Sequence, residues 1–322
     1  MRKMLSAAIG TAVLVGLAGR ALAEDPQPNK APAEAAAYAR SEDVIYGRKF
    51  GTALTLDVFT PKKNAHGAAV VMVISGGWFS DHAVIPFWMG LAGNELVKRG
   101  YTVFAVVHGS QPRFTVPEAV ADLNRAVRFI RYHAKDYKID PGRIGITGGS
   151  AGGHLSLMQG TAGDQGDPKA KDPVDRASSR VQAVACFYPP TDFLNYGGKG
   201  KYAFASNGVL VDYRVAVDLR EFDPRTKLLE RVTDEKKILE LARKISPITH
   251  VSADDPPTLI VHGDADKLVP IEQAEAIVAK FKEMGVPAEL VVKKGAGHGW
   301  AGLDKDIPTI ADWFDKHLKR HD

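Results

Sequence analysis

The sequence predicts an α/β protein, with a mostly parallel central sheet flanked by helices. Three observations carry this reading. Short, almost wholly apolar runs recur at residues 68–74, 101–107 and 181–188, as strands covered on both faces require. Amphipathic patterns of helical period lie between such runs. The two kinds of segment alternate along the chain, which is the signature of strands joined by helical crossovers.

The elements follow in order. Residues 53–59 alternate apolar and polar side chains and read as an outer strand. Strand 68–74 precedes a helix over 87–99, which Gly100 ends. Strand 101–107 precedes a helix that starts near Pro117 and aligns Val120, Leu123, Val127 and Ile130 on one face. A strand over 143–147 runs into a helix after Ser150, and strand 181–188 follows. A long excursion then breaks the rhythm before the next strand, at 258–262. We read its part at about 190–246 as a lid, since so long an insertion is usually functional. Ile271, Ala274, Val278 and Phe281 mark a helix, 289–292 the last strand and 306–319 the closing helix.

The chain begins with Arg2 and Lys3, an apolar run over 5–17 and Ala21-Leu22-Ala23. This is the pattern of a cleaved signal peptide over 1–23, and implies a periplasmic or secreted protein. The run is too short for a spanning helix, so no stable membrane insertion is expected. Residues 24–41, rich in Pro, Ala and charge, read as a flexible leader to a domain over 42–322. Arg2, Lys3 and Arg20 account for three of the four net positive charges, leaving about +1 after cleavage. That is no footprint for nucleic acid. Cys186 is the only cysteine, so no internal disulfide can form; its apolar surroundings suit a buried small hydrophobe.

The chemistry concentrates in Gly148-Gly149-Ser150-Ala151-Gly152, a G-x-S-x-G turn between a predicted buried strand and a helix. A serine there is held on a sharp turn. Glycines two positions away avoid backbone clashes, and the helix N-terminus favours developing negative charge. A dinucleotide-binding glycine turn also follows a strand. It would need a further glycine where His154 stands, and no Tyr-x-x-x-Lys pair lies downstream. The α/β-hydrolase chain order is serine, then Asp or Glu, then histidine. Asp266 and His298 fill it from loops after predicted strands, with Asp264 the near competitor of Asp266. His154 reads as packed, His262 as ordering the acid loop and His108 as a pocket residue. No H-E-x-x-H and no Cys/His cluster points to a metal, and no cofactor is expected.

With these residues in place, the chain resembles the α/β-hydrolase superfamily over about 42–320, in its bacterial esterase branch of acetyl-xylan and feruloyl esterase-like proteins. The segments SGGW (75–78), PEAVAD (117–122), GGSAGGH (148–154), SPITHV (246–251), HGDADKLVP (262–270) and GAGHGW (295–300) carry the likeness. SGGW resembles the branch's HGGGW loop, with Ile74 and Ser75 replacing its His and first Gly. The resemblance implies an oxyanion hole from the amides of Gly77 and Ala151, with Gly76 or Trp78 alongside. It implies a small-molecule or polysaccharide ester substrate, with Trp78 and Trp300 as binding residues; Phe79 and Trp88 are further stacking candidates. Two other readings share parts of the pattern: a peptidase of prolyl oligopeptidase type, and a hydrolase-fold binding module without activity. The absence of a preceding propeller domain counts against the first, and the retained Ser150, Asp266 and His298 against the second.

Overall fold

The apolar strands sort their side chains between two cores. Val71 and Val73 face one side of the sheet, Val70, Met72 and Ile74 the other. This is the two-residue period of a strand buried on both faces. In the computed structural model, which describes residues 37–205, 207–218 and 220–320, the strands are β1 (Tyr38–Lys49), β2 (Thr52–Pro61), β3 (Ala69–Ile74), β4 (Thr102–Val107), β5 (Ile144–Gly149), β6 (Ala183–Phe187), β9 (Thr258–Gly263) and β10 (Ala288–Lys293). They form one sheet in the order β1-β2-β4-β3-β5-β6-β9-β10. β1 and β2 pair antiparallel with each other, and β2 antiparallel with β4. The pairings from β4 through β3, β5, β6 and β9 to β10 are parallel.

Helices cover both faces. Helices α2 (Val116–Tyr132), α3 (Ala151–Ala162) and α5 (Glu272–Glu283) build one core with residues such as Phe104, Ile146 and Ile260. Helix α6 (Ile307–Leu318) and the helical run α1 build the other, with residues such as Met72, Ala185 and Val261. α1 comprises Ile85–Trp88, a π-helical turn Met89–Gly93 and Asn94–Lys98. Thr115 and Glu118 form a reciprocal capping box at the start of α2, which satisfies amides the first turn leaves without partners.

Three details depart from the sequence reading. Strand β1 begins at Tyr38, inside the stretch read as leader; it pairs with β2 through a register shift between Ser41 and Val44 that blurs its alternation. The helix expected over 87–99 starts at Ile85 and contains the π turn. The insertion carries a hairpin, β7 (Arg220–Asp223) with β8 (Leu228–Arg231), that the sequence pattern does not announce, beside helix α4 (Glu235–Lys244), which follows a helical pattern in the sequence. The segment read as a signal peptide lies outside the described residues.

Candidate active site

The six parallel strands, from β4 across β5 to β10, end on one edge, and their C-terminal loops converge there, as open α/β sheets place their sites. Ser150 joins β5 to α3 with φ 53° and ψ −120°, a strained conformation costing about 1–3 kcal/mol. Its amide donates to the Phe187 carbonyl at 3.0 Å. The flanking glycines are required: a Cβ on Gly148 would lie 2.6 Å from the Gly152 carbonyl carbon, and one on Gly152 would lie 3.0 Å from the Val73 oxygen. The turn points the serine hydroxyl toward the loop after β10.

That loop brings His298 over the serine, with Nε2 at 2.9 Å from Ser150 Oγ. His298 Nδ1 lies 2.8 Å from Asp266 Oδ2. Asp266 Oδ1 accepts from the amides of Leu268 and Val269, each at 2.9 Å. Burial works to raise the Asp266 pKa, but hydrogen bonds from His262, His298 and Val269, with the His298 charge, hold it well below the usual carboxylate range. His262 is wholly buried and donates from Nε2 to the Val269 carbonyl at 2.8 Å, so it orders the acid loop as expected. Carboxylate, imidazole and hydroxyl thus form one hydrogen-bonded chain, the arrangement that lets an imidazole take a serine proton.

The chain opens into a cavity of about 350 Å³, lined by Gly76, Gly77, Trp78, Phe87, Trp88, Gly149, Ala151, Tyr188, Leu210, Tyr213 and Leu268 among others. Leu210 and Tyr213 come from the insertion. Tyr213 stacks so closely on the glycine turn that a Cβ at Gly77 would lie 2.6 Å from its ring. Gly77 has φ 55° and Trp78 φ 60°. Gly77 and Ala151 carry amides with no acceptor among the described residues, on the cavity wall beside Ser150.

Several expectations change. The Gly76 amide donates to the Phe79 carbonyl at 2.9 Å, while the Gly76 carbonyl accepts from the Phe79 amide at 2.9 Å, so the Gly76 amide is not free for an oxyanion. Trp78 borders the cavity, but its indole is 3% exposed and held by His154, Phe193 and Phe204, which leaves no free face for stacking. Trp300 is not a lining residue. Its N–H donates to Asp306 at 2.9 Å and its ring packs on Phe187 and Tyr188. His108 is buried behind the glycine turn and does not line the cavity. Phe79 is half-exposed outside the lining. Trp88 does line it, joined by Phe87, Tyr188 and Tyr213, which sequence reasoning missed. Only the length of the insertion hinted that it would wall the site.

Asp43, Asp57 and His82 lie within 4.8 Å of one another away from this cavity. The buried Asp57 carboxylate is already held there by Arg40 at 2.6 Å.

The BD-FAE family model matches residues 56–281. The chain belongs to the BD-FAE family. It is 30% identical over 273 residues to the probable carboxylic ester hydrolase LipM of Mycobacterium tuberculosis, covering 83% of this chain and 57% of LipM. The chain thus spans little more than half the length of that relative. Among solved structures, a truncated carbohydrate esterase from gut microbiota superposes with TM-score 0.71 at 27% identity, covering 89% of this chain and 99% of its own. An acetyl ester-xyloside bifunctional hydrolase from Caldicellulosiruptor lactoaceticus gives TM-score 0.63 at 25% identity, covering 86% and 93%. The fold of this BD-FAE member is that of the α/β-hydrolase esterases.

Proposed function

We propose that this protein is a serine carboxylic-ester hydrolase acting through an acyl-enzyme on Ser150, with acetyl or aromatic acyl esters of carbohydrates as substrates. The observation that carries the reading is the hydrogen-bonded chain from Asp266 through His298 to Ser150, opening into an aromatic-walled cavity. In this reading His298 takes the Ser150 proton as the hydroxyl attacks the ester carbonyl. Asp266 fixes the imidazole tautomer and stabilises its charged form. The carbonyl oxygen, now an anion, accepts from the Gly77 and Ala151 amides. His298 then protonates the leaving alcohol and activates water for deacylation.

The carbohydrate part rests on the solved relatives named as a carbohydrate esterase and an acetyl ester-xyloside hydrolase. Trp88 and Phe87 offer flat apolar faces for a sugar or aromatic acyl group. We further propose that residues 190–246 act as a lid, and that a signal peptide over 1–23, cleaved after Ala23, exports the chain to the periplasm or medium, where polymeric esters are met. Hydrolysis of p-nitrophenyl acetate, butyrate and octanoate and of methyl ferulate tests the reading. Ser150→Ala should lower kcat at least ~10⁴-fold. Turnover unaffected by that change, or none on any ester, would overturn it.

A further inference from the structure

The glycine turn that carries the Gly77 amide adopts a conformation its own sequence does not favour. Trp78, which has a Cβ, sits at φ 60° directly after Gly77 at φ 55°, and left-handed backbone is uncommon for a bulky residue. Something outside the turn must hold it. Two buried histidines reach it through hydrogen bonds.

His108, at the end of β4, lies behind the turn. Its Nδ1 is 2.9 Å from the Gly109 carbonyl and its Nε2 is 2.9 Å from Ser75 Oγ. A carbonyl only accepts, so Nδ1 carries the proton and Nε2 accepts from the Ser75 hydroxyl. His154 lies one turn into α3. Its Nε2 is 2.7 Å from the Ile245 carbonyl, and its Nδ1 is 3.1 Å from the Trp78 indole nitrogen. An indole N–H only donates, so Nδ1 accepts. Each imidazole therefore donates to a fixed main-chain carbonyl and accepts from one side chain of the turn. Burial pushes both histidines down to about 4, which keeps them neutral and able to accept. Ser80 adds a third tie, donating to the Ile74 carbonyl at 2.5 Å while its Oγ accepts from the His108 amide at 3.2 Å.

We propose that His108 and His154 are positioning residues: through Ser75 and Trp78 they clamp the turn so that the Gly77 amide points at the developing oxyanion. The inference rests on the ester hydrolase reading and gives Ser75, which stands where the HGGGW loop it resembles has a glycine, a role in holding the turn. It also gives the insertion a role, since the Ile245 carbonyl that orients His154 stands at the end of α4.

Ser75→Ala and Trp78→Phe each delete one donor and leave the imidazole in place. Four quantities are measured for both and for the wild type: kcat and KM on p-nitrophenyl acetate, affinity for phenylboronic acid, which forms a tetrahedral adduct on a reactive serine, and Tm. A misaimed oxyanion donor should lower kcat between about 10-fold and 100-fold, with KM within about twofold. Phenylboronic acid affinity should fall with kcat. Unchanged kcat and boronate affinity with a lower Tm would mean that the bonds only stabilise the fold, and would overturn the clamp. Boronate binding does not depend on ester turnover, so it judges the clamp even if the wild type hydrolyses no ester. That second result would overturn the ester hydrolase reading instead.

Discussion

The two clamping histidines make stability depend on acid in a specific window. Both are fully buried, and burial moves each pKa from the ordinary 6.5 to about 4. Between those values the unfolded chain binds protons that the folded chain refuses. Stability is therefore complete above about pH 6.5 and falls as pH drops toward 4, the sign expected when the unfolded state holds more protons. Each histidine loses about 3 kcal/mol by pH 4, so the pair removes about 6 kcal/mol. That is a large share of the ~5–15 kcal/mol typical of a folded domain. Urea unfolding at pH 7, 6, 5 and 4.5 reads it directly, with wild type beside His154→Gln. The wild type should lose stability steadily as pH falls below about 6, with the two histidines together contributing up to about 3 kcal/mol per pH unit. The variant begins less stable and should show a shallower slope, though not a flat one, since His108, His66 and His317 are also held below 6.5. Equal slopes in the two proteins, or a flat wild-type profile from pH 7 to 4.5, would refute the argument that His154 is held neutral by burial.

Three further outcomes follow from the geometry. Gly148→Ala puts a Cβ 2.6 Å from the Gly152 carbonyl carbon; it should lower Tm by several degrees and kcat by at least about 10-fold, as thermal melts and p-nitrophenyl acetate assays would register. Trp88→Ala should raise KM for methyl ferulate more than for p-nitrophenyl acetate, because Trp88 lines the cavity. Trp300→Phe should leave both KM values within about twofold and cost about 1 kcal/mol of stability through the lost bond to Asp306, measured by urea unfolding.

The fold was legible because both-face burial writes itself as unbroken apolar runs. The site was legible where chemistry restricts the residue: a strained serine between glycines, and an acid and a histidine after later strands. Strand β1 was hidden because an antiparallel edge strand, mostly exposed and interrupted by register shifts, has no clean alternation. The π turn at Met89–Gly93 leaves no mark at the resolution of a hydrophobic pattern. The aromatic residues were the hardest to assign. Trp78, Trp88 and Trp300 all lie near the serine in sequence logic, yet only side-chain packing decides that Trp88 faces the cavity, Trp78 the His154 cluster and Trp300 the α6 side. Gly76 was misjudged for a similar reason, since its amide partner is a carbonyl three residues away in the same turn.

The central claim is that Ser150 is the nucleophile, activated by His298 and Asp266. Stoichiometric labelling with a fluorophosphonate, followed by peptide mass mapping, tests it most directly. The account predicts one adduct per chain, on the peptide containing Ser150, formed at least ~10³-fold more slowly in His298→Ala and lost in Ser150→Ala. An adduct on another residue, or labelling of Ser150 at the same rate without His298, would contradict it.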